Sequence, residues 1–164
     1  MTNLHSLGVT TDNDYFLDPD LKFQRPELIQ FLEYWEQKRR GRQFPARADI
    51  QPGEMLDLLP WTSMFDVEDV DKFRVRLNGT KLEALLPEGK YTGKPISVFP
   101  PRAYARLQTT LEWVVLNRAA LRGQSRSSSV PGQDYQGQES IFAPLSRNGV
   151  DIDIIASVTM LEKL

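Results

Sequence analysis

Basic and aromatic residues crowd one short stretch of the chain, YWEQKRRGRQFPARADI at residues 34–50. Five basic side chains stand there against two acidic ones; the five are Lys38, Arg39, Arg40, Arg42 and Arg47. Such a group could bind phosphates, lie on a membrane surface, or form the end of a helix and the turn after it. Nucleic-acid-binding domains are usually strongly basic, whereas this chain has a net charge of −2. We therefore predict no nucleic-acid and no membrane partner, and keep nucleic-acid binding through residues 38–47 only as an alternative.

Residues able to catalyse reactions or ligate metals are scarce in this sequence. It has no cysteine and a single histidine, His5. The lack of thiols excludes disulfides, thiolate metal sites and cysteinyl–flavin adducts. Haem ligation or a Ser-His-Asp triad would have to use His5, which lies in a segment without clear periodicity. We therefore predict no catalytic residue, no metal site and no covalent flavin or haem, and leave a noncovalent small ligand open.

Two further motifs resemble functional sites only in part. The loop Gly89–Lys94 has three residues between its glycines, where a phosphate-binding P-loop needs four, and Pro95 stands where that loop needs a hydroxyl residue. Asp151 and Asp153 would share one face of a strand, but the sequence offers no third metal ligand nearby. The sequence therefore predicts an ordinary turn at the first motif and solvent-facing carboxylates at the second.

The chain that carries these residues has the length of a single domain. Its 164 residues are 40% hydrophobic, enough for a sizeable core. The N-terminus lacks the basic and apolar regions of a signal peptide, and the longest apolar runs are far too short to cross a bilayer. We expect a cytoplasmic protein. Residues 1–20 contain four aspartates and no Lys or Arg, and residues 1–25 have no clear period, which predicts an extended acidic arm over 1–25 ahead of one domain at 26–164.

The clearest helix is predicted over residues 26–41. Pro26 suits its first turn, the basic residues suit its last, and Gly41 is placed to end it. Four apolar residues at helical spacing form one stripe, with aromatic anchors of the kind that often carry interface energy. We predict these as a homodimer or protein-partner interface, with packing on the chain's own sheet as the alternative; they are Leu28, Phe31, Leu32 and Trp35.

The end of this helix and the turn after it should be held by local charge pairs. Glu36 and Arg40 are spaced for an i, i+4 pair, and Arg47 and Asp49 are close enough to order the turn. Farther on, the string Thr80–Glu83 has the form of a capping box, with Thr80 as the N-cap of a short helix.

The order of elements and several strings together resemble a PAS domain, in particular a family of small stand-alone bacterial PAS-like proteins. The strings are the YW helix running into KRRGRQFPARADIQP, then LLPW, FDVE, FRVRLNGTKLEALL, TGKPI and ESIFAPLSRNGVDIDII. The resemblance spans roughly residues 27–161, most of the chain.

The resemblance implies an α+β fold with a five-stranded antiparallel sheet of order 2-1-5-4-3. Its strands would be 61–67, 72–77, a weak strand near 121–129, 137–145 and 150–161. Helices would cover one face and enclose a pocket, and an N-terminal helix would flank the core. The resemblance also implies a sensory or regulatory module that binds a small ligand, a protein partner or both. No output domain fits in the remaining residues, so a signal would leave through the N-terminal helix or through self-association.

The pocket walls follow from apolar residues on the predicted strands and helices, with tyrosines as polar contacts. We predict as ligand-binding residues Phe65, Phe73, Val75, Tyr91, Tyr104, Trp113 and Phe142. Leu82, Leu85 and Leu111 are expected beside them. The alternative to a pocket is that these side chains pack together as core. The alternative function is a small-pocket enzyme, which would need converging titratable groups that the sequence does not display.

Overall fold

The computed structural model describes residues 12–87, 90–128, 130 and 135–163. Six strands form one sheet: β1 (Tyr15–Asp18), β2 (Thr62–Asp69), β3 (Lys72–Asn78), β4 (Leu121–Ser125), β5 (Tyr135–Leu145) and β6 (Ile154–Lys163). Three α-helices accompany them: α1 (Pro26–Arg39), α2 (Thr80–Glu83) and α3 (Pro101–Asn117). Short 3-10 helices lie at Arg47–Asp49, Pro52–Glu54, Leu56–Trp61 and Ile96–Val98. Within the described residues, no helix combines the length and apolar character that a membrane crossing requires.

The sheet has the order β1-β4-β5-β6-β2-β3, and every neighbouring pair is antiparallel. Strands β2 to β6 are the first to fifth strands of the predicted order 2-1-5-4-3, so the mixed α/β fold with an antiparallel sheet is confirmed. The sixth strand, β1, was not predicted. It pairs with β4 at the edge, with Tyr15 opposite Ser125 and Asp18 opposite Arg122.

Part of the predicted acidic arm therefore belongs to the sheet. Tyr15 and Leu17 are buried, while Phe16, between them, faces outward beneath the Arg126 guanidinium at 4.9 Å. This alternation is that of a strand with one face on the core. Residues 1–11 of the arm, with His5, lie outside the described residues.

Helices lie on both faces of the sheet. Alternating side chains of a strand point to opposite faces, and on β5 Ser140 and Phe142 face a cavity below α3. Glu139, Ile141 and Ala143 therefore point to the other face, where α1 packs on β5 and β6.

A buried ion pair fastens the entrance of α1 to this second face. Arg122 donates from Nε to Glu139 Oε2 at 2.7 Å, and also reaches Asp18 at 3.3 Å. The Glu139 carboxylate in turn accepts the backbone N–H groups of Gln24 at 3.0 Å and Arg25 at 2.8 Å. One carboxylate thus joins β4, β5 and the residues that precede α1.

Two local predictions are wrong. Helix α1 ends at Arg39 instead of residue 41, and Arg40 itself takes the left-handed conformation at φ 52°, followed by Gly41 at φ 80°. Thr80 is not a cap, because α2 begins at it and Gly79 is the N-cap residue, without a side-chain hydrogen bond. Any side chain at Gly79 would collide with the Pro60 carbonyl. The Gly79 N–H also donates to Thr62 O at 2.7 Å, which ties this backbone to the start of β2.

Candidate ligand-binding cavity

A cavity of about 110 Å³ lies between the sheet and the helices α2 and α3. Its sheet side is polar, lined by Ser63, Asn78, Gln138, Ser140, Ser157 and Thr159. Its helix side is apolar, lined by Leu82, Leu85, Leu86, Phe99, Ala103 and Leu107. Phe65, Phe142, Val130, Tyr15 and Arg106 complete the wall. This arrangement can hold several waters or one small organic molecule that is apolar on one side and polar on the other.

The polar wall is built from residues that face each other across neighbouring strands. Ser140 and Thr159 are opposite each other on β5 and β6, and their hydroxyl oxygens lie 2.7 Å apart. Ser63 and Asn78 are opposite on β2 and β3, and the Ser63 hydroxyl donates to Asn78 Oδ1 at 2.7 Å. The Asn78 amide nitrogen is buried and has no hydrogen-bond partner among the described residues. One polar pair of the wall is therefore mutually satisfied and the other keeps an unused donor.

Tyr15 of β1 is part of the cavity wall. Its hydroxyl lies 2.6 Å from Thr110 Oγ1, and because Thr110 donates to the Arg106 carbonyl, Tyr15 is the donor to Thr110. Burial raises the pKa of Tyr15 to about 12, so the phenol stays protonated at neutral pH. Gly123 on β4 leaves the space for the hydroxyl, since a Cβ there would lie 2.7 Å from it.

Arg106 is the charged residue among the described residues of the wall, and Asp12 of the N-terminal segment neutralises it. Asp12 accepts from Arg106 Nε at 2.7 Å and from Nη2 at 3.2 Å. The Arg106 side chain is 4% exposed, and the Ser127 carbonyl accepts a further bond at 3.1 Å. Arg102, more exposed, reaches Asp12 at 3.3 Å and Asp14 at 3.1 Å. These ion pairs hold the segment before β1 against α3.

The Asp12 ion pair should make stability depend on pH. Hydrogen bonding by Arg106 holds the pKa of Asp12 well below its ordinary 3.8, against the opposing effect of burial. A carboxyl with a lower pKa in the folded state stabilises the fold above its ordinary pKa, and this stabilisation is lost as the pH falls below it. We expect the urea midpoint of the wild type to fall more steeply between about pH 5 and pH 2.5 than that of Asp12→Asn. Parallel curves for the two proteins would contradict this.

The predicted ligand-binding residues are only partly brought together. Phe65 and Phe142 line the cavity, as do Leu82 and Leu85. Others are buried in the core without lining it: Phe73, Val75, Tyr91, Leu111 and Trp113. Tyr104 is 36% exposed and borders a separate shallow depression on the surface. Apolar spacing identifies the inward face of each element but not the place where packing leaves room, so a role in ligand binding stays a prediction.

The polar wall and the contacts of Asp12 and Tyr15 with α3 were missed. The signal for the wall was present, since Ser157 and Thr159 alternate with Ala156, Val158 and Met160 along β6. A strand buried on both faces that carries hydroxyls on one of them indicates a polar surface inside the fold. The contribution of Asp12 and Tyr15 had no local signal, because Arg106 and Thr110 lie more than 90 residues away along the chain.

The residues predicted as a partner interface are packed inside the chain. Leu28 and Phe31 are completely buried, Trp35 is 4% exposed, and Leu32 is partly buried against the core. The Trp35 ring nitrogen donates to the Pro144 carbonyl on β5 at 3.0 Å. Three of the four side chains are therefore buried against the chain's own core, which agrees with the alternative of packing on the sheet, and their role as an interface stays a prediction. Whether the chain has a partner or forms a dimer stays a prediction.

The basic segment is held by local carboxylates. Lys38 pairs with Glu54 at 3.0 Å and Arg42 with Asp49 at 2.6 Å. The predicted Glu36–Arg40 pair is wrong, since Glu36 pairs with Arg39 at 2.7 Å. The turn is ordered by Arg42 rather than by the predicted Arg47–Asp49 pair; Arg47 instead donates to the Ile50 carbonyl at 3.0 Å. The segment therefore resembles a helix end stabilised by ion pairs more than an exposed phosphate-binding site.

Titratable groups do not converge on the cavity. Among its described lining residues only Tyr15 and Arg106 can titrate, and no carboxylate is part of the wall. Within the described ranges, no three His, Asp or Glu side chains are grouped closely enough to hold a metal ion. Gly89 of the predicted loop Gly89–Lys94 lies outside the described residues. Asp151 is exposed and accepts from Asn148 at 2.9 Å beside the turn between β5 and β6, as predicted for a solvent-facing carboxylate. The same prediction is wrong for Asp153, which is partly buried and accepts from the Arg147 backbone N–H at 3.2 Å.

A family model described as PAS domain matches residues 23–157. The match begins between β1 and α1 and ends within β6, so it covers both helix layers and nearly all of the cavity wall. Tyr15 and Asp12 lie outside it. Neither a curated protein nor a solved structure gives a significant match.

Proposed function

Because the chain belongs to the PAS domain family, whose members are generally non-enzymatic sensory and regulatory modules, we propose that it senses a small molecule and has no catalytic activity of its own. The cavity between the sheet and α3 is the observation that carries this proposal. Its walls divide into a polar and an apolar side, as expected of a site that orients a small ligand. The signal would pass to a protein partner or to a second copy of the chain.

The arrangement of β5 supports a route from the cavity to α1. Ser140 faces the cavity, and its neighbour Glu139 faces the opposite side, where it holds the backbone of Gln24 and Arg25. A ligand that shifts β5 would therefore also shift the entrance of α1. The outer side of this helix, which includes the 41% exposed Ile29, is the proposed contact surface for a partner or a second copy.

Filling the cavity tests ligand binding. Ala103 of α3 is buried in the cavity wall, whereas Ala105, two residues on, is exposed on the same helix. We expect Ala103→Leu to occupy part of the cavity and to weaken ligand retention at least about tenfold, at a stability cost of about 1–3 kcal/mol. Native mass spectrometry of the purified protein should show a bound small molecule in the wild type and in Ala105→Leu but not in Ala103→Leu.

Hydrogen exchange tests the route to α1. Ala103→Leu should alter the exchange rates of backbone amides over residues 24–39, and Ala105→Leu should leave them unchanged. Equal ligand retention in all three proteins would contradict ligand binding in the cavity. Lost retention with unaltered exchange in 24–39 would contradict only the route.

A further inference from the structure

The charge of the cavity wall limits what can bind there. Arg106 is the charged side chain among the described lining residues, and its guanidinium already binds Asp12 and the Ser127 carbonyl. A charged ligand would lose its hydration without gaining an unpaired opposite charge, which is costly in a buried site. The wall therefore favours an uncharged ligand.

The size and the helix side of the cavity favour a small apolar body. Leucines of α2 and its following turn, with Phe99 and Leu107, present hydrocarbon toward the sheet. The volume of about 110 Å³ is of the order of apolar cavities that bind a molecule as small as benzene. A ring or a short branched chain fits these limits.

The side-chain amide of Asn78, in the polar wall, has a donor without a hydrogen-bond partner among the described residues. Asn78 is 9% exposed, its oxygen accepts from Ser63, and its amide nitrogen has no partner among the described residues. A buried amide donor without an acceptor is unfavourable, and native structures usually satisfy such groups. The Ser140–Thr159 pair on the same wall is already bonded at 2.7 Å. Asn78 is thus the position where a ligand oxygen would gain most.

We infer that the cavity takes a small uncharged molecule with an apolar body and one hydrogen-bond acceptor, such as a ketone or ester oxygen, that accepts from the Asn78 amide. This inference rests on the proposed function and specifies the class of ligand. The apolar helix side of the cavity holds the apolar body of the ligand. The charge of Arg106 is paired with Asp12, so it does not disfavour an uncharged ligand.

Three matched probes test the class on the wild-type protein. Acetophenone carries a carbonyl acceptor, ethylbenzene has nearly the same shape without oxygen, and benzoate carries a charge. Titration calorimetry should show acetophenone binding about 3- to 10-fold more tightly than ethylbenzene, the gain of one hydrogen bond, and benzoate binding most weakly. Equal affinities for the first two, or the tightest binding for benzoate, would overturn the inference.

Two double variants locate the acceptor contact. Ser63→Ala/Asn78→Leu removes the pair with the unused donor, and should bring the acetophenone-to-ethylbenzene ratio close to one. Ser140→Ala/Thr159→Val removes the satisfied pair from the same wall and should preserve the ratio. The reverse pattern would overturn the assignment to Asn78. The ranking of probes on the wild type decides the class even if a variant fails to fold.

The failure of this inference can be distinguished from failure of the proposed function. If none of the three probes binds, but native mass spectrometry shows a ligand that Ala103→Leu loses, only the inferred class is overturned. If neither experiment shows a ligand, the proposed function fails with it.

Discussion

Replacing Glu139 with alanine should destabilise the folded chain by about 3–5 kcal/mol, because it leaves the buried Arg122 guanidinium without its main counter-charge. The side chains of Arg122 and Glu139 are 9% and 2% exposed, so solvent cannot substitute for the lost partner. The backbone donors of Gln24 and Arg25 would lose their acceptor at the same time. Urea unfolding followed by circular dichroism measures the change.

Two controls separate the buried charge from a general effect of substitution. The double variant Arg122→Met/Glu139→Leu removes both charges and should recover a large part of the loss, since well-packed apolar residues often replace a buried ion pair at little cost. Glu68→Ala breaks the exposed Arg74–Glu68 pair and should change stability by less than about 1 kcal/mol. Similar losses in Glu139→Ala and Glu68→Ala would mean that the buried pair has no special role.

Trp35→Ala should destabilise the fold by a similar amount, about 3–5 kcal/mol, by leaving a large gap between α1 and the sheet. The substitution also removes the donor to the Pro144 carbonyl. Ile29→Ala, on the exposed side of the same helix, is the matched control and should cost less than about 1 kcal/mol. Thermal and urea unfolding of the two variants give the comparison.

The same pair of variants distinguishes packing from a partner interface. If Trp35 serves the chain's own core, Trp35→Ala lowers stability and any change of mass in light scattering follows from unfolding. If Trp35→Ala instead keeps the wild-type unfolding midpoint while its mass falls from dimer to monomer, the original interface prediction is supported. The same result for Ile29→Ala would support the outer side of α1 as the contact surface.

The sequence predicted the arrangement of the main strands better than the contacts between distant segments. The ordered strings of the resemblance identified β2, β3, β5 and β6, and on β3 the burial of one face also leaves a period-2 pattern in the chain. β1 left no such trace, since its four residues are flanked by aspartates that resemble a solvated arm. The arginines that pair with these aspartates lie on other elements far along the chain; they are Arg102, Arg106 and Arg122.

The cavity shows a second limit of sequence reasoning. Phe65 and Phe73 have equivalent patterns on β2 and β3, yet only Phe65 lines the cavity. Which side chains border the cavity depends on how α2, α3 and the loops pack on the sheet. The spacing of residues within a strand does not encode the distance between these layers. The Asp49 contacts show the same limit at short range, since Arg42 and Arg47 were both within reach and backbone geometry decided between them.

The position of β1 has a consequence for how this module can be divided. A chain cut at residue 23, where the family match begins, would keep the family's core but lack the strand that covers the edge of β4. It would also leave Arg106 without Asp12 and remove Tyr15 from the cavity wall. Such a fragment would expose unpaired strand groups to other copies and invite edge-to-edge association. We therefore expect the smallest stable fragment of this protein to include β1, which lies outside the family match.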